Sequence, residues 1–81
     1  MRAVSLSSSL IARIAYDDAR RTLKVRFRDD RAYLYFDVPP SIFQAMKSAP
    51  SAGRFYNEEV KARYRCTFDP DRKRYRPDAA A

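Results

Sequence analysis

Pro39 and Pro40 divide this chain more sharply than any other feature. A strand cannot run on through proline, which has no N–H for the ladder, yet the fixed φ of proline suits the first turn of a helix. The residues before the pair, Tyr33-Leu34-Tyr35-Phe36-Asp37-Val38, are rich in aromatics and strand-like. Those after it place Ile42, Phe43 and Met46 at helical spacing. A sheet region followed by a helical region is therefore expected.

Upstream, residues 10–16 read as a first strand after the polar lead-in Ser7-Ser8-Ser9. Asp17-Asp18-Ala19-Arg20-Arg21 supplies turn residues. Thr22-Leu23-Lys24-Val25-Arg26-Phe27-Arg28 alternates without a break and predicts a second strand, with Leu23, Val25 and Phe27 facing a core. A turn at Asp29-Asp30 leads to a third strand over about residues 32–38. Downstream, Pro40 opens a helix that Pro50 closes, and Ser51 has the character of an N-cap for a second helix to about residue 65. Tyr56, Val60 and Tyr64 stand four apart and form its inner stripe, while Gly53 falls in its first turn, where close packing would exclude a side chain. From Cys66 onward the periodicity fails. The expected fold is α+β: a three-stranded antiparallel meander followed by two short helices packed on one face, over residues 1–65, with a flexible basic tail over residues 66–81.

Composition bounds the function. Eighty-one residues, 46% of them hydrophobic, suit one domain with one thin core and no separate catalytic domain. Seventeen basic residues against 10 acidic ones give a net charge of +7, which steers polyanions or acidic surfaces toward the protein. Residues 61–81 hold seven basic and three acidic residues, +4 of that total. The single cysteine, Cys66, cannot form an internal disulfide. No segment resembles a secretory signal or reaches the length of a membrane span, so a cytoplasmic protein with no membrane role is expected.

At this point the pattern resembles a known family. Ser9 with Ile11, Ile14-Ala15-Tyr16-Asp17, Leu23, Val25, Phe27, Tyr33-Leu34-Tyr35, Val38-Pro39, Ser51, Gly53, Asn57, Val60 and Tyr64 are similar to the KTSC domain, over about residues 4–64. The resemblance implies a small domain found at the C-terminus of some lysyl-tRNA synthetases and alone in small bacterial and phage proteins, with RNA binding suggested by the synthetase context. The chain departs from the family at Ala15, where glycine is usual, at Asp29-Asp30, where the turn usually has glycine, at Leu34, where a polar residue is usual, and in the order Phe55-Tyr56.

The second turn decides what the tyrosines do. A two-residue turn at Asp29-Asp30 sets Val25 opposite Leu34 and leaves Tyr33 and Tyr35 outside, beside Lys24 and Arg26. A three-residue turn including Arg31 sets Phe27 opposite Tyr33 and Val25 opposite Tyr35, and puts both tyrosines in the core. Two-residue turns usually need glycine, which is missing, so the second arrangement is favoured. It leaves Leu34 and Phe36 on the outer face, where they would suit a homodimer contact.

The functional expectation is non-catalytic RNA binding of low sequence specificity. Lys24, Arg26 and Arg28 on the second strand, Tyr33 and Tyr35, and Arg72, Lys73, Arg74 and Arg76 in the tail are its candidate residues, since spaced cations track phosphates and aromatic faces stack bases. The same cations also fit a solvated sheet face. Asn57, beside Tyr56, is expected near the core as a structural or ligand-binding amide. The alternative is a protein-interaction or homodimerisation module using Leu34 and Phe36. No catalytic residue, cofactor or metal is assigned: histidine is absent, Cys66 has no base partner, and nothing brings Asp17 and Asp37 together for metal-dependent chemistry.

Overall fold

The computed structural model describes residues 2–69. The α+β class and the antiparallel meander stand, but the sheet has five strands rather than three: β1 (Arg2–Ser5), β2 (Ile11–Asp17), β3 (Thr22–Phe27), β4 (Ala32–Tyr35) and β5 (Cys66–Phe68), in spatial order β1-β2-β3-β4-β5. Between β4 and β5 lie α1 (Pro40–Ser48) and α2 (Ala52–Phe55), the latter continuing as a π-helical turn over Tyr56–Val60. The second helix thus ends at Val60 rather than near residue 65. Residues 66–69, expected in a tail, belong to the fold; Arg72, Lys73, Arg74 and Arg76 lie outside the described residues. No helix of the described residues is long and apolar enough to cross a membrane.

In β2 the register shifts between Ile11, opposite Phe27, and Arg13, opposite Arg26. That bulge lets Ile11 and Ile14, three apart, both enter the core with no exposed surface, where an unbroken strand would send them to opposite faces. At the next turn Asp17 Oδ1 accepts from the N–H groups of Ala19 and Arg20 at 3.1 and 3.3 Å.

The β3–β4 hairpin resolves the register. Asp30 N–H donates to the Phe27 carbonyl at 3.0 Å, Phe27 N–H donates to Arg31 O at 2.8 Å, and Asp30 takes a left-handed φ of 76°. The loop therefore has three residues, as favoured, but they are Arg28–Asp30 and not 29–31. Val25 consequently faces Tyr33 and Leu23 faces Tyr35, two residues from the expected pairing and on the same face. Aspartate tolerates the left-handed region better than most residues, which is how the turn forms without glycine.

The strand stops at Tyr35, short of residue 38. Phe36 N–H still donates to Arg65 O at 2.9 Å, but Asp37 adopts φ 56° and swings Val38 inward, where it is fully buried and its N–H reaches Arg21 O at 2.9 Å. Pro40 then opens α1, as expected, and Phe43 and Met46 enter the core. Ser51 caps α2, its side chain accepting from Arg54 N–H at 3.3 Å. One apolar layer results, with Ile11, Ile14, Tyr16, Leu23, Val25, Phe27 and Tyr35 from the sheet against Val38, Phe43, Met46, Ala52, Tyr56 and Val60. At Gly53, a Cβ would meet Leu10 at 3.4 Å, a firm contact with a side chain on the surface, so the space there does not exclude a side chain outright.

Candidate functional site

Residues of β3, β4, β5 and the π-helical turn border a common space. The result is an open cleft of about 540 Å³ walled by Phe27, Tyr33, Tyr35 and Tyr56, with Arg31, Asn57, Lys61, Cys66 and Leu10 around it. Local geometry explains the assembly. Tyr33 and Tyr35 alternate inward on β4, Arg31 stands at its entry, and Cys66 on β5 lies directly opposite Tyr35. In the π turn, Lys61 N–H bonds Tyr56 O at 2.9 Å, which places Lys61 one turn beyond Tyr56 on the same side.

The aromatic walls are fixed edge to face. Phe27 meets Tyr33 at 6.0 Å and Tyr56 at 5.3 Å between ring centroids, and Tyr33 meets Phe68 at 5.3 Å. At the floor the hydroxyls of Tyr35 and Tyr56 are hydrogen-bonded to each other. Tyr35 is 2% exposed, and its burial, followed by the bond to Tyr56, pushes its hydroxyl far above the ordinary value near 10. Burial also raises Tyr56, against a lowering by the bond from Tyr35.

These shifts fix a pH response. A group that holds its proton more tightly when folded contributes stability in full below its unfolded value and loses it as pH rises from there through its higher folded value. Urea stability is expected to fall above pH 10 by about 1.4 kcal/mol per pH unit on account of Tyr35, with Tyr56 adding in the same direction. Tyr35→Phe should make the fall shallower; an unchanged slope would show that Tyr35 is not the group responsible.

The other expected residues are dispersed. Lys24 is bound to buried Asp69 at 2.9 Å, and Arg26 pairs with Asp30 at 3.4 Å. Arg28 folds back to donate to the carbonyls of Ser8 and Leu6 at 3.0 and 2.7 Å, clasping the β1–β2 loop. Each cation of that row thus has a partner within the domain, and none of them lines the cleft. Leu34 and Phe36 point outward but are half-buried, and the Arg65 guanidinium lies 5.8 Å from the Phe36 ring centroid. The expectation that both tyrosines are core holds for Tyr35, while Tyr33 is half-buried at the cleft.

Asn57 is exposed, not near the core. One residue along a helix turns about 100°, which takes it off the Tyr56 stripe and onto the cleft rim. Sequence reasoning passed over Arg31 and Lys61 as site residues, and took Tyr56 as core alone and Cys66 as incidental. Only the position of Arg31 just before the Tyr-x-Tyr strand hinted at its place.

The sequence model of the KTSC domain matches residues 7–64. The chain belongs to the KTSC domain family. Its relatives include a protein of Tsukamurella paurometabola, 43% identical over 74% of this chain and 90% of that one. A lysine–tRNA ligase of Nostoc punctiforme is 33% identical over 70% of this chain, a segment that makes up 10% of the ligase. The crystal structure of a KTSC domain protein from Yersinia pestis superposes with a TM-score of 0.80 at 35% identity, covering 84% of this chain and 96% of the other. Within this KTSC domain, four of the residues that carry the resemblance, Phe27, Tyr33, Tyr35 and Asn57, meet at the cleft.

Proposed function

We propose that this KTSC domain is a non-catalytic module that binds unpaired RNA with low sequence specificity through the cleft. The observation that carries the reading is the convergence of four aromatic rings with Arg31, Lys61 and Asn57 on one open concavity. Of the four rings Tyr33 is half-buried and offers a face on which any base can stack, worth about 1 to 3 kcal/mol, the buried three back it, and cations at the rim attract phosphate. Among the described residues Lys61 makes no ion pair. Arg31 is held by exposed Asp29 at 2.8 Å, a surface pair weak enough for a phosphate to displace. The net charge of +7 supplies long-range attraction. Relatives that are lysine–tRNA ligases place a related segment in proteins named for an RNA substrate.

Fluorescence anisotropy with labelled single-stranded RNA at low ionic strength tests the reading. Affinity is expected to fall linearly with log salt, and Lys61→Ala and Arg31→Ala should each lower affinity and reduce the slope by about 0.7. Absence of any salt-sensitive binding would end the RNA reading.

A further inference from the structure

The same cleft has the dimensions and chemistry of a pocket for one nucleotide. Resting on the RNA reading above, we propose that it takes a single unpaired base with its phosphate, rather than tracking a run of nucleotides.

Its volume of about 540 Å³ lies within the roughly 300 to 1,000 Å³ usual for sites that enclose one small molecule. The interior is aromatic and the cations stand at the rim: Arg31 from the β3–β4 hairpin, Lys61 from the end of the π turn. A planar base enters between the walls while its phosphate stays at the mouth. Beneath the cleft the Tyr35 and Tyr56 hydroxyls are bonded to each other, and Cys66 also bonds Tyr35, so they close the bottom of the cleft and leave recognition of the base edge to its rim. The Asn57 amide at the rim both donates and accepts, so it can pair with the edge of any base.

The footprint is that of the cleft itself: among the described residues Lys24 and Arg26 lie on the opposite face of the sheet and Arg28 is turned to the carbonyls of Leu6 and Ser8, so none of them extends it. The expected ligand is therefore a bulged, flipped-out or terminal nucleotide, and a free nucleoside monophosphate is its minimal form.

Adenosine and uridine monophosphates, their nucleosides, and two RNA hairpins alike except for one bulged base are the probes, titrated against the full chain by NMR and anisotropy. Both monophosphates are expected to bind and to displace the bulged hairpin. The bulged hairpin should bind about tenfold or more tighter than the fully paired one, as one stacked base requires. The nucleosides should bind more weakly than the monophosphates. Lys61→Ala, at an exposed site, should weaken monophosphate binding with an unchanged NMR fingerprint. Equal binding of both hairpins, with no effect of either monophosphate, overturns the pocket and leaves RNA binding standing. Monophosphate binding without binding of any RNA upholds the pocket and removes the RNA reading. Failure of every probe removes both.

Discussion

Tyr35→Ala is expected to lower the unfolding free energy by about 3 to 5 kcal/mol, and Tyr33→Ala by about 1 to 2 kcal/mol, although the two residues share one strand and one face. Tyr35 is sealed at the centre of the sheet, pairs its ring with Tyr56 at 5.9 Å between centroids, and bonds the Tyr56 hydroxyl. Truncating it opens a cavity and leaves that hydroxyl without its partner, so two costs add. Tyr33 is half-buried beside the open cleft, where water replaces the lost ring. Urea melts of the two variants measure the contrast. Equal losses would mean that the register or the cleft has been misplaced.

The second large effect concerns β5. A chain ended at Arg65 is expected to lose about 3 kcal/mol or more, a large part of the stability available to so small a domain. Strand β5 pairs with β4 at Tyr33, Leu34 and Tyr35, Phe68 packs on Tyr33, and Asp69 is 3% exposed with Lys24 at 2.9 Å. Losing the Phe68 contact costs about 1 to 2 kcal/mol. Removing Asp69 strands the half-buried Lys24 charge for about 1 to 3 kcal/mol more. Phe68→Ala combined with Asp69→Ala, which keeps every later residue, should reproduce most of the loss. A truncated chain that melts at the full-length midpoint would show β5 to be dispensable.

Much of this was legible in the sequence, and the reasons are local. The alternation in residues 22–28, the double proline, the Ser51 cap and the buried pair Phe43 and Met46 are signals that short-range chemistry both writes and enforces. The absence of glycine at Asp29-Asp30 was enough to fix the facing of the tyrosines, though not the loop's exact residues, because a slide of two preserves the face. The strands β1 and β5 were missed since four and three residues are too few to show a period. Their order comes from pairing with a neighbour already in place. The bulge in β2 and the π turn are likewise single-residue insertions that tertiary packing selects. The cleft lay hidden for the same reason: Cys66 and Lys61 reach it only through elements that the periodicity did not announce.

Every strand pairing except one joins near neighbours in the chain. Residues 36–65, with both helical segments, intervene between β4 and β5, so that pairing alone must close a long loop. It therefore carries the largest loop-closure cost of any strand pairing in the sheet. Cys66 and Tyr33, on either side of that seam, both line the cleft. The candidate cleft is thus closed by the one long-range pairing of the sheet, and parting of that edge strand would reshape it.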